Sequence, residues 1–68
     1  MAVSYKKLWH ILLDKEMMKK DLQQAAGLTK YAMNKLSNNE NVTTETIEKI
    51  CKALSCNIDE IMEFTLDE

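Results

Sequence analysis

The sequence predicts an all-α domain of five short helices, on three observations: proline is absent, glycine occurs once, and apolar residues recur at helical spacing along most of the 68 residues. Sheets and long loops draw more heavily on glycine and proline at their turns. So short a chain buries only about 60% of its unfolded surface and cannot be divided between two cores, so residues 1–68 form a single domain. With 46% hydrophobic and 29% charged residues it lies in the globular range, which argues against disorder.

Ser4 is a candidate N-cap for a first helix reaching about Glu16, with Leu8, Ile11 and Leu12 on one face and Trp9 and Leu13 on the adjoining row. A second helix runs from about Lys20 to Ala26, turning Leu22, Ala25 and Ala26 inward. It stops at Gly27, the one residue free to take positive φ without a steric penalty. Thr29 opens a third helix to about Leu36. Its inner side is Ala32, Met33 and Leu36, with Leu28 as a lead-in contact, and its outer side is Lys30, Tyr31, Asn34 and Lys35. The polar run Ser37 to Asn41 is a loop. From Thr43 or Thr44 a fourth helix places Ile47, Ile50, Cys51 and Leu54 at i, i+3, i+4 and i+7, which assigns Cys51 to the core. Asp59 to Met62 form a fifth, brief helix with acids in its first turn. Val3, Tyr5, Met62, Phe64 and Leu66 remain at the two ends as a candidate dimer surface. Val3 and the alternating Met62, Phe64 and Leu66 are also candidates for short terminal strands, paired within or between subunits.

No run approaches the roughly 18 apolar residues of a membrane-spanning helix. Met1 to Leu13 lacks the apolar stretch and cleavage site of a secretion signal, so a cytoplasmic location is expected. Cys51 and Cys56 read as two reduced thiols, since secreted mini-domains usually carry several disulfides. With His10 they lack the spacing of a zinc site. No glycine-rich phosphate loop or paired carboxylates stand out, and five short helices leave little room for a catalytic pocket. The expectation is a protein that is not an enzyme and that takes no metal or cofactor.

Net charge is −2, unevenly distributed: residues 1–14 carry +1, residues 15–39 carry +3 (five lysines against Glu16 and Asp21), and residues 40–68 carry −6 (two lysines against eight acids). A basic centre beside an acidic tail suits a protein that offers one face to a polyanion. Two short helices joined at a glycine turn, the second cationic outside, form the arrangement that lays a helix in the major groove of DNA. A helix with its side chains is about 10–12 Å across and the groove about 12 Å wide, so outward residues of the first turns reach base edges.

Over essentially its whole length the sequence resembles the Cro and phage-repressor type of helix-turn-helix regulator. The resemblance rests on Leu22 and Ala26, the turn Ala26-Gly27-Leu28-Thr29, Met33 and Leu36, and the stretch SNNENVTTETIEKICKALSCNIDEIMEF, which is similar to a compact subgroup of such proteins. It implies a five-helix domain that binds double-stranded operator DNA, commonly as a homodimer, through a motif at about residues 19–38. Lys30, Tyr31, Asn34 and Lys35 are then the expected base-reading residues, and Lys19, Lys20, Thr29, Asn38, Asn39 and Asn41 the expected phosphate contacts. One departure is Gln23, where the family often has alanine five positions into the motif. Lysines neutralise phosphates without choosing sequence, so choice falls chiefly on Asn34, whose amide suits adenine, and on Lys30 or Lys35 near guanine. All nine cations are lysine, so the arginine–guanine fork is absent and readout leans on DNA shape. The competing expectation is an antirepressor or adaptor that uses the same fold on a protein partner.

Overall fold

The computed structural model describes residues 2–66. In chain order it contains β1 (Ala2–Ser4), α1 (Lys6–Asp14), α2 (Lys19–Ala26), α3 (Lys30–Ser37), α4 (Thr44–Leu54), a 3-10 turn (Ile58–Glu60) and β2 (Glu63–Thr65). The fold is mostly helical, with four helices rather than five and a two-stranded sheet. Asp59 to Met62 do not make an α-helix. Asn57 N–H donates to the Glu60 carboxylate at 2.7 Å, and the chain enters β2 at Glu63 before a second helical turn can form. β1 and β2 pair antiparallel within the chain, Ala2 opposite Thr65, Val3 opposite Phe64 and Ser4 opposite Glu63. Asp67 and Glu68 of the acidic tail lie outside the described residues.

The core gathers Leu8, Leu12, Leu22, Leu28, Met33, Leu36, Ile47, Ile50 and Leu54 with Val3, Tyr5 and Ile61. Each Leu or Ile fully removed from water favours folding by about 1.5–3 kcal/mol. Helical periodicity found most of these positions, but not every assignment stands. Leu13 is 73% exposed and Ala25 is exposed, both on rows that turn past the neighbouring helices. Trp9, Ile11, Ala26, Ala32 and Cys51 are only half-buried at the core's edge. Val3 and Tyr5 close this chain's own core and are not available as a dimer surface. Ser4 belongs to β1 and does not cap α1: its Oγ accepts from Lys6 N–H at 3.3 Å, but Tyr5 holds the N-cap position, so α1 begins one residue later than expected.

All four helices end at a left-handed residue. Glu16, Gly27, Asn39 and Ser55 have φ of 56°, 67°, 56° and 54°. After each, an amide reaches back five residues: Met17 to Leu12 O at 2.8 Å, Leu28 to Gln23 O at 2.9 Å, Glu40 to Lys35 O at 2.9 Å and Cys56 to Cys51 O at 3.1 Å. The first three are Schellman caps, with a second bond from the left-handed residue to Leu13 O, Gln24 O and Leu36 O, whereas the Ser55 amide goes to Cys51 O as well; each satisfies orphan carbonyls and turns the chain sharply. Only one of the four uses glycine. An α1 helix stopping at Asp14 and a Ser37 that finishes α3 instead of opening the loop both follow from where these caps fall.

Candidate nucleic-acid interface

α2 starts where the Asp21 carboxylate accepts Met18 N–H at 2.8 Å, and it anchors on Leu22, which is fully buried. At Gly27 a Cβ would meet no atom within 4 Å, so glycine is favoured there by φ alone and not by crowding. Leu28 drops into the core, and Thr29 then caps α3 as the sequence suggests, its Oγ1 accepting from Ala32 N–H at 3.1 Å. Gln23, the departure from the family pattern, is half-buried while its carbonyl receives the Leu28 amide. The larger residue is accommodated without loss of the turn.

Met33 and Leu36 fix the rotation of α3 by facing the core. Lys30, Tyr31 and Asn34 therefore face solvent, Tyr31 being 70% exposed. Lys35 is half-buried, its Nζ 5.0 Å from the centroid of the Tyr31 ring, one helical turn back. The aromatic face holds that ammonium at the edge of the helix rather than at its crest. Thr29, Tyr31, Lys35 and Asn41 line one open hollow, together with Val42 and Thr43 at the start of α4, and Lys35, Asn39 and Asn41 line a second beside it.

Lys20 and Asn38 are exposed, and the Asn38 amide completes the end of α3. Lys19 is more constrained than the sequence suggests. Its Nζ donates to Ser37 Oγ at 3.2 Å and lies 4.4 Å from the Trp9 ring centroid, so it ties α1 to the C-terminus of α3, where the helix dipole favours a cation. Asn39 also has structural work. Its Oδ1 accepts Tyr5 N–H at 3.2 Å, while Tyr5 OH donates to Glu40 O at 2.7 Å, so the α3–α4 loop is pinned to the β1–α1 junction. Burial pushes the Tyr5 phenol up, against the opposing influence of the Val42 backbone, and keeps it a donor. Hydropathy alone places Tyr5 among the dimer-surface candidates. Its loop-holding role depends on contacts 34 and 35 residues away, which no local pattern reports.

Among the described residues, neither Lys30 nor Lys35 is within ion-pair distance of a carboxylate, whereas Lys49 meets Glu45 at 3.9 Å on α4. A capped pair of helices at a glycine turn, with a cationic outer face on the second, defines a helix-turn-helix nucleic-acid-binding domain. The chain belongs to the family of the Cro/C1-type HTH DNA-binding domain, whose model matches residues 7–67. It is similar to the crystal structure of the transcriptional regulator VanUg (Form II), at 42% sequence identity and a TM-score of 0.88, over 91% of this chain and 83% of that one. No match is found among curated protein sequences. Among the described residues no helix is long and apolar enough to cross a membrane.

Proposed function

We propose that the chain is a cytoplasmic transcriptional regulator that binds double-stranded operator DNA with α3 in the major groove. The observation that carries this reading is the division of α3: Met33 and Leu36 are buried, and Lys30, Tyr31 and Asn34 are turned outward with no acid on the helix. Asn34 is the principal base reader, through its amide, with Lys30, Tyr31 and Lys35 beside it. Lys19, Lys20, Thr29, Asn38, Asn39 and Asn41 contact phosphates on either side. Lys19 does so while anchored on Trp9, and Asn39 through its amide nitrogen, since its carbonyl is engaged by Tyr5. Occupying an operator is enough to exclude other proteins from it, so the effect is repression.

One module neutralises only a few phosphates and holds a single half-site weakly, so the working form is a homodimer on an inverted repeat, with recognition helices about 34 Å apart. Phe64 at 62% and Leu66 at 78% exposure supply its apolar surface, now that Val3 and Tyr5 are accounted for in the core. Binding to random duplex should fall steeply with salt. Sedimentation of the complex on a preferred site should give two chains per duplex, and one chain on a site without an inverted repeat would end the dimer model. The exposed Ile58, Phe64 and Leu66 also favour a second reading, a protein-binding module, which requires duplex affinity to be absent at every salt concentration.

A further inference from the structure

The four helix caps share a left-handed turn but bring different side chains together. In each the residue donating the long-range amide lies beside the residue accepting it. Those pairs are Leu12 and Met17, Gln23 and Leu28, and Lys35 and Glu40. At the end of α4 they are Cys51 and Cys56. Both are free thiols, both are half-buried, and both line the same open hollow with Lys52 and Glu60. Burial raises the Cys56 pKa from 9.0 to about 11; the neighbouring Cys51 thiol and Glu60 act in the same direction, while Lys15 opposes them. Both side chains therefore sit at one hollow, beside the backbone hydrogen bond that joins their residues. Among the described residues no third His, Cys, Asp or Glu joins them in a cluster that would hold a metal.

We propose that Cys51 and Cys56 are a modification site, a dithiol that closes to an intrachain disulfide on meeting a small-molecule disulfide such as oxidised glutathione, with the fold retained. A disulfide needs Cα atoms about 4.4–6.8 Å apart, and the direct backbone hydrogen bond between the two residues provides that closeness. Cys56 is held in its thiol form, so the first attack falls to Cys51. The Cys51 thiolate attacks one sulfur of oxidised glutathione, the S–S bond breaks, and one glutathione leaves and takes up the proton that Cys51 lost. Cys56, deprotonated in turn, attacks the Cys51 sulfur and expels the second glutathione. Two protein thiols are oxidised by two electrons and one small disulfide is reduced to two thiols. The bond locks the Ser55 turn and tethers α4 to the segment leading into β2. Along α4, Cys51 lies eight residues from Thr43, about 12 Å at 1.5 Å per residue, and neither cysteine lines the hollow beside α3, so the proposal does not depend on the DNA-binding reading.

The test is to titrate the reduced full-length chain with oxidised glutathione, reading intact mass, maleimide-reactive thiols and far-ultraviolet circular dichroism. The expected product has lost two hydrogens and both reactive thiols together, keeps its helical signal, melts no lower, and returns to the dithiol in excess reduced glutathione. C56S should stop at one glutathione adduct. Two stable adducts on the parent chain, chain-to-chain disulfides, no reaction of the folded protein, or loss of the helical signal on closure would each overturn the proposal.

Discussion

α3 and α4 begin alike, each capped by a threonine whose hydroxyl accepts the amide three residues on, at 3.1 Å from Thr29 and 3.2 Å from Thr43. Each lays one apolar stripe on the same core. Outward they diverge. α3 carries Lys30 and Lys35 and no acid, whereas α4 sets Lys49 and Lys52 against Glu45 and Glu48. The balanced helix can neutralise itself, as the Glu45–Lys49 pair does, while the unbalanced one leaves its charge for a polyanion. Packing thus fixes the angle at which each helix is held, and surface chemistry alone separates the two helices.

Substitutions that ignore this division should cost most. Leu36→Ala on α3 and Ile50→Ala on α4 remove fully buried side chains, so each should lower stability by about 2–5 kcal/mol in urea denaturation. Near-equal losses would show that both helices serve one core; a loss below 1 kcal/mol at either position would break the comparison. On the outer face, Asn34→Ala should cost about 1–3 kcal/mol of discrimination between a preferred duplex and a random one, with stability nearly unchanged. Unaltered discrimination would remove Asn34 from the reading surface.

The caps test the comparison more gently. Gly27→Ala meets no clash and should destabilise through φ alone, by about 1 kcal/mol, while Ser55→Gly should stabilise by a similar or smaller amount. Thermal melts of the two variants that moved in the same direction would contradict the cap assignment. The smallest effects lie among exposed charges. Glu45→Ala should change stability by less than about 1 kcal/mol and leave DNA binding alone. Lys20→Ala, at an exposed phosphate contact, should weaken binding to all duplexes and reduce the slope of log affinity against log salt by about 1.

Much of this was legible in the sequence, for identifiable reasons. Ile47, Ile50 and Leu54 announce α4 by spacing, Thr29 and Thr43 announce their helices by hydroxyls that satisfy backbone amides, and Gly27 announces a left-handed turn. The turns at Glu16, Asn39 and Ser55 adopt nearly the same φ with side chains that signal it weakly, so the ends of their helices were placed less well. The sheet pairs residues 2–4 with 63–65, and hydropathy alternation suggests that the two ends pair as strands without fixing whether they do so within one chain or between two. In the interface, the outward face of α3 followed from periodicity. The seat of Lys19 on Trp9 and the seat of Lys35 on Tyr31 required knowing how long side chains lie across their neighbours, which spacing does not encode.

The central claim is that the outward face of α3 reads duplex DNA, and selection of bound sequences from a random duplex pool tests it most directly. The account predicts enrichment of an inverted repeat with half-sites about one helical turn apart, with the enriched bases changing when Asn34 is replaced. A pool recovered without any enriched sequence, or recovered equally well by a chain lacking Lys30, Asn34 and Lys35, would contradict it.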